Sequence, residues 1–281
     1  MQVALAQFAP VLGDTDANLV RIGELVDKAV AAGADLVVFP ELATSGYSLG
    51  DVDERVGMAA DDPRLLELSR RAAGTGVLLG FPEEGPRSIH AYNAAIHLQG
   101  GGIVHCHRKL YLPTYDIFEE RKHFSPGQFM RAYDAQDGRM ATLICNDAWQ
   151  PQLAFLAIQD GAQVLLIPTN SAQSRFPERY DSATYWRDIT SFYARMLQCY
   201  VVFVNRVGDE GELHFWGGSH VVDPWGQVIA EAPLDTPSLT VVELDLRTIR
   251  QRRREVPLVK EARLGLVERE ARRLVEEGGD L

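Results

Sequence analysis

The chain carries two copies of one pattern. GADLVVFPE at residues 33–41 returns as GAQVLLIPT at residues 161–169, 128 positions later, and NAAIHLQGGGIV at residues 93–104 returns as SHVVDPWGQVIA at residues 219–230, 126 positions later. Two matches at nearly one offset mark a duplicated unit. Its content reads as strand, helix, strand, helix, strand and hairpin. Residues 2–8 (QVALAQF) form an apolar run suited to a buried strand, and residues 16–32 carry Leu19, Ile22, Val26, Ala29 and Val30 on one helical face behind a cap at Asp14 or Asp16. A strand at 34–39 stops at Pro40; a helix near 63–73, a strand at 77–81 and the hairpin YNAAIHL, QGGG, IVHCHRK follow. After an irregular stretch at 110–137, the order resumes with RMATLIC, a helix at 151–160 and QVLLIP at 163–168. The predicted fold class is therefore α/β, a four-layer α-β-β-α sandwich with an internal pseudo-two-fold repeat. Its two sheets lie face to face with helices outside.

Residues 1–245 are assigned to this sandwich. Residues 246–281 read as a C-terminal helix and tail, part of the same domain or an arm packing on a second copy. Between Leu246 and Arg273 there are ten Lys/Arg against four Glu. Without aromatic residues to stack bases, this is read as a solvated face rather than an RNA-binding arm.

Charge narrows the partners. With 28 Lys+Arg against 39 Asp+Glu the chain carries −11, so nucleic acid and anionic membrane surfaces are expected to be repelled. No apolar run approaches the roughly 20 residues of a membrane span. The start, MQVALAQFAP, lacks the basic region of a signal peptide. Three cysteines, an odd count, fit a reducing cytoplasm and leave room for one reactive thiol.

Three chemically active residues share a structural address at strand ends, where open α/β sheets place their sites. Glu41 follows the second strand in FPELATSGY, Lys109 closes the first hairpin in HCHRKLYLP, and Cys145 ends ATLIC before a helix starting near Pro151. ICNDAWQP reads as a strand–turn–helix elbow that exposes a nucleophile, and the positive end of the following helix is expected to favour a thiolate. Cys106 sits mid-hairpin and Cys199 closes an amphipathic helix (Trp186, Ile189, Tyr193, Met196), so both are read as packing residues. Lysine occurs only at 28, 109, 122 and 260, against 24 arginines. A compact ammonium at 109 suits an oxyanion better than a planar guanidinium does. The apolar approach to Glu41 is expected to bury it and raise its pKa toward the range of a general base.

On these residues the chain resembles the nitrilase superfamily of carbon–nitrogen hydrolases: FPELATSGY, HRKLYLP and LICND match its three motifs in order. The resemblance runs from VALAQ to the strand at 239–244. It implies the same sandwich fold and a catalytic Glu41, Lys109 and Cys145. It also implies a second glutamate that positions the lysine, matched by Glu120 with Glu119 beside it. The loop YLPTYDIFEERKHF resembles the glutaminase domain of bacterial glutamine-dependent NAD synthetases. By that likeness Tyr115 and Trp149 line the substrate pocket, Asn170 follows a strand toward the substrate, and Ser171 and Arg175 are candidates for a substrate carboxylate. Those synthetases continue into a second domain with a Gly-rich ATP loop, whereas this sequence ends at Leu281. The expectation is a freestanding amidase.

The implied reaction is hydrolysis of a small amide, an ω-amide or aliphatic amide, to acid and ammonia through a Cys145 thioester, with the Asn146 backbone N–H and Lys109 holding the oxyanion. No cofactor is needed. A nitrilase or an N-carbamoyl amine hydrolase would use the same triad, and a catalytically silent binding protein is the reading of another class. His105 and His107 alternate on one strand face, but no further ligand at metal spacing joins them, so no metal is expected. QGGG lies in a hairpin and is not a dinucleotide fingerprint. A homodimer or larger homo-oligomer is expected.

Overall fold

The computed structural model describes residues 1–51, 56–85, 89–114 and 119–278. In it the duplicated pattern becomes two six-stranded sheets. The first half runs β1 (Gln2–Gln7), α1 (Thr15–Ala31), β2 (Leu36–Val38), α2 (Pro63–Arg71), β3 (Gly76–Glu84), β4 (Ala91–Gln99) and β5 (Gly102–Arg108). The second runs β6 (Ala132–Ala135), β7 (Gly138–Thr142), α3 (Pro151–Gln159), β8 (Val164–Thr169), α4 (Ser182–Leu197) and β9 (Tyr200–Asn205). It continues with β10 (Val207–Glu210), β11 (Leu213–Trp216), β12 (His220–Val222) and β13 (Val228–Glu231), and the chain closes with β14 (Ser238–Glu243), α5 (Arg247–Glu255) and α6 (Leu264–Glu276). The orders are β14-β1-β2-β3-β4-β5 and β13-β12-β9-β8-β7-β6, so each sheet repeats the other with β14 and β6 in corresponding places. In each, three parallel strands form the centre and antiparallel strands flank them.

The four layers follow from apolar residues on both faces of the central strands. Val3, Leu5, Leu36 and Val38 point inward and meet Val164, Leu166, Val202 and Val204 of the other sheet. Their neighbours point outward: Ala4, Val37 and Phe39 pack under α1 and α2, while Leu165, Ile167 and Val201 pack under α3 and α4. A side-chain period of two thus makes three apolar layers from one stretch of sequence, each buried Val or Leu contributing roughly 1.5–3 kcal/mol.

Several sequence expectations change. The cap of α1 is Asp14, whose side chain accepts from the Ala17 N–H. The stretch at 110–137 holds β6, and β10–β11 is a hairpin that the first half lacks; both strands are only four residues long, too short for periodicity to show. Met196, expected on the packing face of its helix, is 44% exposed. The C-terminal segment forms two helices broken around Pro257. Helix α5 is anchored by Ile249 and by Gln198 donating to the carbonyls of Arg252 and Val256, whereas no residue of α6 is buried. Among the described residues no helix is long and apolar enough to cross a membrane.

Candidate active site

Glu41 stands three residues beyond β2, where the chain turns sharply over β3. Gly80 permits this approach: a Cβ there would lie 2.4 Å from the Leu42 nitrogen and 2.6 Å from the Glu41 Cα. Lys109 follows β5 directly and is crossed by the backbone at Gly127, whose N–H donates to the Lys109 carbonyl at 2.8 Å. Cys145 lies beyond the strand that was expected to hold it. Strand β7 ends at Thr142, and Cys145 opens a 3-10 turn at φ 45°. A side chain in this left-handed region costs roughly 1–2 kcal/mol, held by the surrounding packing.

Asp147 ties that turn to the Lys109 segment. Its buried carboxylate accepts from the backbone N–H of Leu110 and Tyr111, each at 2.9 Å, from Ile144 at 3.2 Å, and meets His107 Nε2 at 3.0 Å. His107 therefore serves the elbow, while His105 stacks on Tyr133 at 4.3 Å. Among the described residues no group of three His, Cys, Asp or Glu side chains could hold a metal.

Lys109 is fully buried, with Nζ 2.7 Å from Glu41 Oε1 and 2.6 Å from Glu120 Oε1. Burial by itself would drive the proton off this ammonium. The charges of Glu120 and Glu41 outweigh burial and hold its pKa well above the ordinary lysine range. Burial and the Glu41 charge lift Glu120 to about 7 against the pull of Lys109. Of the two adjacent glutamates, Glu120 is thus the one in the cluster; Glu119 is exposed and pairs with Lys122. Asn93 Nδ2 donates to Glu41 Oε1 at 2.7 Å, and the Asn170 N–H donates to Glu41 Oε2 at 2.9 Å. That same N–H also reaches the Cys145 sulfur.

The expected thiolate at rest is not what this environment favours. The helix α3 starts only at Pro151, a turn away. Burial, and then the charge of Glu41, push the Cys145 thiol well above its ordinary pKa, with Lys109 pulling the other way. The thiol keeps its proton until something removes it.

Residues unforeseen in the sequence hold the carboxylates. Tyr47 OH donates to Glu120 Oε1 at 2.7 Å. The backbone N–H groups of Tyr47 and Ser48 donate to Glu210 at 3.0 Å, and Glu210 is paired with the buried Arg206. Glu210 sits on β10, so the hairpin without a counterpart supports the Glu120 side of the cluster. GY in the first motif and NR at 205–206 carried the only sequence hint.

A cavity of about 490 Å³ opens onto Cys145, and Asn146, Trp149 and Ser171 line it. Asn170 does not; it is buried behind that wall, and its side-chain amide has no hydrogen-bond partner among the described residues. Arg175 lies in a separate depression bordered by Tyr47 and Glu120, 3.9 Å from Glu212. Tyr115 lies outside the described residues. Arg179, not anticipated, stands on the cavity wall.

The fold and this cluster coincide with one family. The carbon–nitrogen hydrolase family profile matches residues 2–254, and the chain belongs to that family, within the nitrilase superfamily. An (R)-stereoselective amidase of Pseudomonas sp. is 34% identical over 275 residues, 95% of this chain and 93% of the relative. A glutamine-dependent NAD(+) synthetase of Thermotoga maritima is also 34% identical, over 249 residues. That match takes in 88% of this chain but 42% of the synthetase, so the chain spans less than half the length of such relatives. Among solved structures, Saccharomyces cerevisiae Nit3, a member of branch 10 of the nitrilase superfamily, superposes with a TM-score of 0.79 at 28% identity, covering 94% of this chain and 96% of that one.

Proposed function

We propose that this carbon–nitrogen hydrolase is an amidase that converts a small amide and water to a carboxylic acid and ammonia. The observation that carries this reading is the buried Lys109 ammonium clamped between Glu41 and Glu120, with the Cys145 thiol at a strained elbow. Cys145 Sγ attacks the amide carbon while Glu41 takes the thiol proton. Lys109 and the Asn146 backbone N–H hold the oxyanion, each such donor lowering the barrier by about 3 kcal/mol. Glu41 returns the proton to the nitrogen, the C–N bond breaks, ammonia leaves, and a thioester remains. Water, its proton taken by Glu41, hydrolyses the thioester and regenerates the thiol. Glu120 keeps the Lys109 ammonium in place, and Tyr47 keeps Glu120. Trp149 supports a wall for the substrate, and the Asn170 N–H supports the placement of Glu41.

The test is ammonia release across primary amides, nitriles and carbamoyl amines, with Cys145→Ala as blank and hydroxylamine trapping of the acyl-enzyme. Ammonia from amides with a trapped hydroxamate is expected. Release of carbon dioxide with ammonia would mark a carbamoyl hydrolase, turnover of nitriles alone a nitrilase, and no turnover with an unlabelled Cys145 a binding protein. Exposed Tyr185, Phe192 and Met196 on one face of α4 support self-association into a homodimer, which light scattering of the purified chain would test.

A further inference from the structure

From the walls of the Cys145 cavity we infer that the preferred substrate is the primary amide of an aryl or arylalkyl carboxylic acid, not glutamine or a short aliphatic amide. The inference rests on the amidase reading and adds the acyl group to it.

Three observations carry it. First, the walls are aromatic. Trp149 and Trp186 meet edge to face with centroids 5.7 Å apart, Tyr180 lies 6.0 Å from Trp149, and Phe176 closes the rim. Aromatic walls offer faces and edges against which another ring packs. Second, two hydroxyls along the cavity already make hydrogen bonds. The Ser182 hydroxyl donates to the Ala172 carbonyl at 3.0 Å, and the Ser171 hydroxyl accepts from Trp216 Nε1 at 3.3 Å. No carboxylate lines the cavity among the described residues, and its one charged side chain, Arg179, is exposed at the rim. Among the described residues the α-ammonium of glutamine would meet no counter-charge, a cost that binding sites avoid. Third, the cavity, of about 490 Å³, has room for an acyl group well beyond a short aliphatic chain.

The chemistry is unchanged by this choice: the S–C bond forms first, the C–N bond of the resulting oxyanion then breaks, ammonia carries away the proton taken from the thiol, and water later cleaves the thioester.

The experiment compares kcat/KM for 3-phenylpropanamide, propanamide and L-glutamine by ammonia release. The same three ligands are then titrated calorimetrically into Cys145→Ala. A preference of about 100-fold or more for the phenyl amide is expected. Tighter binding of that amide to Cys145→Ala is also expected, and the phenyl-to-propyl ratio should fall about tenfold in Phe176→Ala, an exposed position whose loss spares the core. Equal or better turnover of propanamide or glutamine would overturn the inference and leave the amidase reading standing. If no amide is turned over, the amidase reading fails, and the titration alone decides the pocket: selective uptake of the phenyl amide supports the assignment, and no selectivity overturns it.

Discussion

The two halves of the molecule share a backbone and differ in what they place at its strand ends. Leu5 pairs with Val38 in the first sheet as Thr142 pairs with Leu166 in the second, so the position three residues later is Phe8 in one half and Cys145 in the other. Phe8 is 1% exposed and packs edge-on against Phe39 at 6.0 Å. Cys145 is turned by its positive φ toward an open cavity. At the end of the next strand the repeat sets Glu41 against Thr169, whose hydroxyl merely returns to the Ile167 carbonyl. At the end of the hairpin the Lys109 N–H bonds the Asn93 carbonyl as the Ala232 N–H bonds that of Ser219, so the buried Lys109 stands against a buried alanine. The site is thus divided between the halves. The first gives carboxylates and an ammonium, the second gives the thiol and the Asn170 N–H that bonds Glu41 across the sheets. A duplicated scaffold supplies two equivalent sets of strand ends, and chemistry needs only that the sets be different and face one another.

Exchanging function at matched positions would break this comparison. Cys145→Ala is expected to lower ammonia release by about 10⁴-fold or more with the melting temperature nearly kept. Its counterpart Phe8→Ala should lose about 3–5 kcal/mol of stability in denaturant titration. Parity between the two in either measurement would refute the division of roles. Next in size, Glu41→Gln should reduce kcat about 1000-fold, whereas Thr169→Val should change kcat less than about tenfold and cost about 1 kcal/mol for its hydroxyl bond.

Glu120→Gln sharpens the comparison within the first half. Glu120 is lifted to about 7, so in the wild type kcat/KM should fall as pH drops through about 7 and the lysine loses an anionic partner. The variant should lose this limb from the pH–rate profile and run about 10–100-fold slower above it. A limb that persists in Glu120→Gln would assign it to another group. Because the folded pKa of this carboxyl is raised, its linkage works against stability as pH rises from the usual carboxylate range through 7.

The smallest effect concerns stability. Burial holds His97 and His220, one in each sheet, down to about 4. The unfolded chain therefore takes up protons first, and the stability these neutral rings contribute is present above about 6.5 and lost as pH falls toward 4. The denaturation midpoint should drop across that window, opposite in sign to the Glu120 contribution. His97→Gln and His220→Gln should each flatten part of the slope, and an unaltered slope in both would point to other groups.

Much was legible in the linear chain because it is local. The apolar runs at 36–38 and 164–169 declare strands buried on both faces, and their recurrence declares two sheets. Glu41, Lys109 and Cys145 were visible as odd residues at strand ends. What stayed hidden was made by short or distant elements. Strands of four residues leave no period to read. Tyr47, Asn93 and Glu210 act through partners that are tens to more than a hundred positions away. The hold of the Asn170 N–H on Glu41 was also hidden, because main-chain donors leave no mark on residue type.

By itself the sequence determined the duplicated α/β plan and the identities of a thiol, an ammonium and two carboxylates, since periodicity and residue chemistry are properties of a chain read in order. Only the tertiary structure decided that Glu120 and not Glu119 joins Lys109, that the Cys145 thiol keeps its proton, and that the cavity is walled by aromatic rings. Burial and the field of neighbouring charges set those outcomes, and both exist only once distant segments pack together.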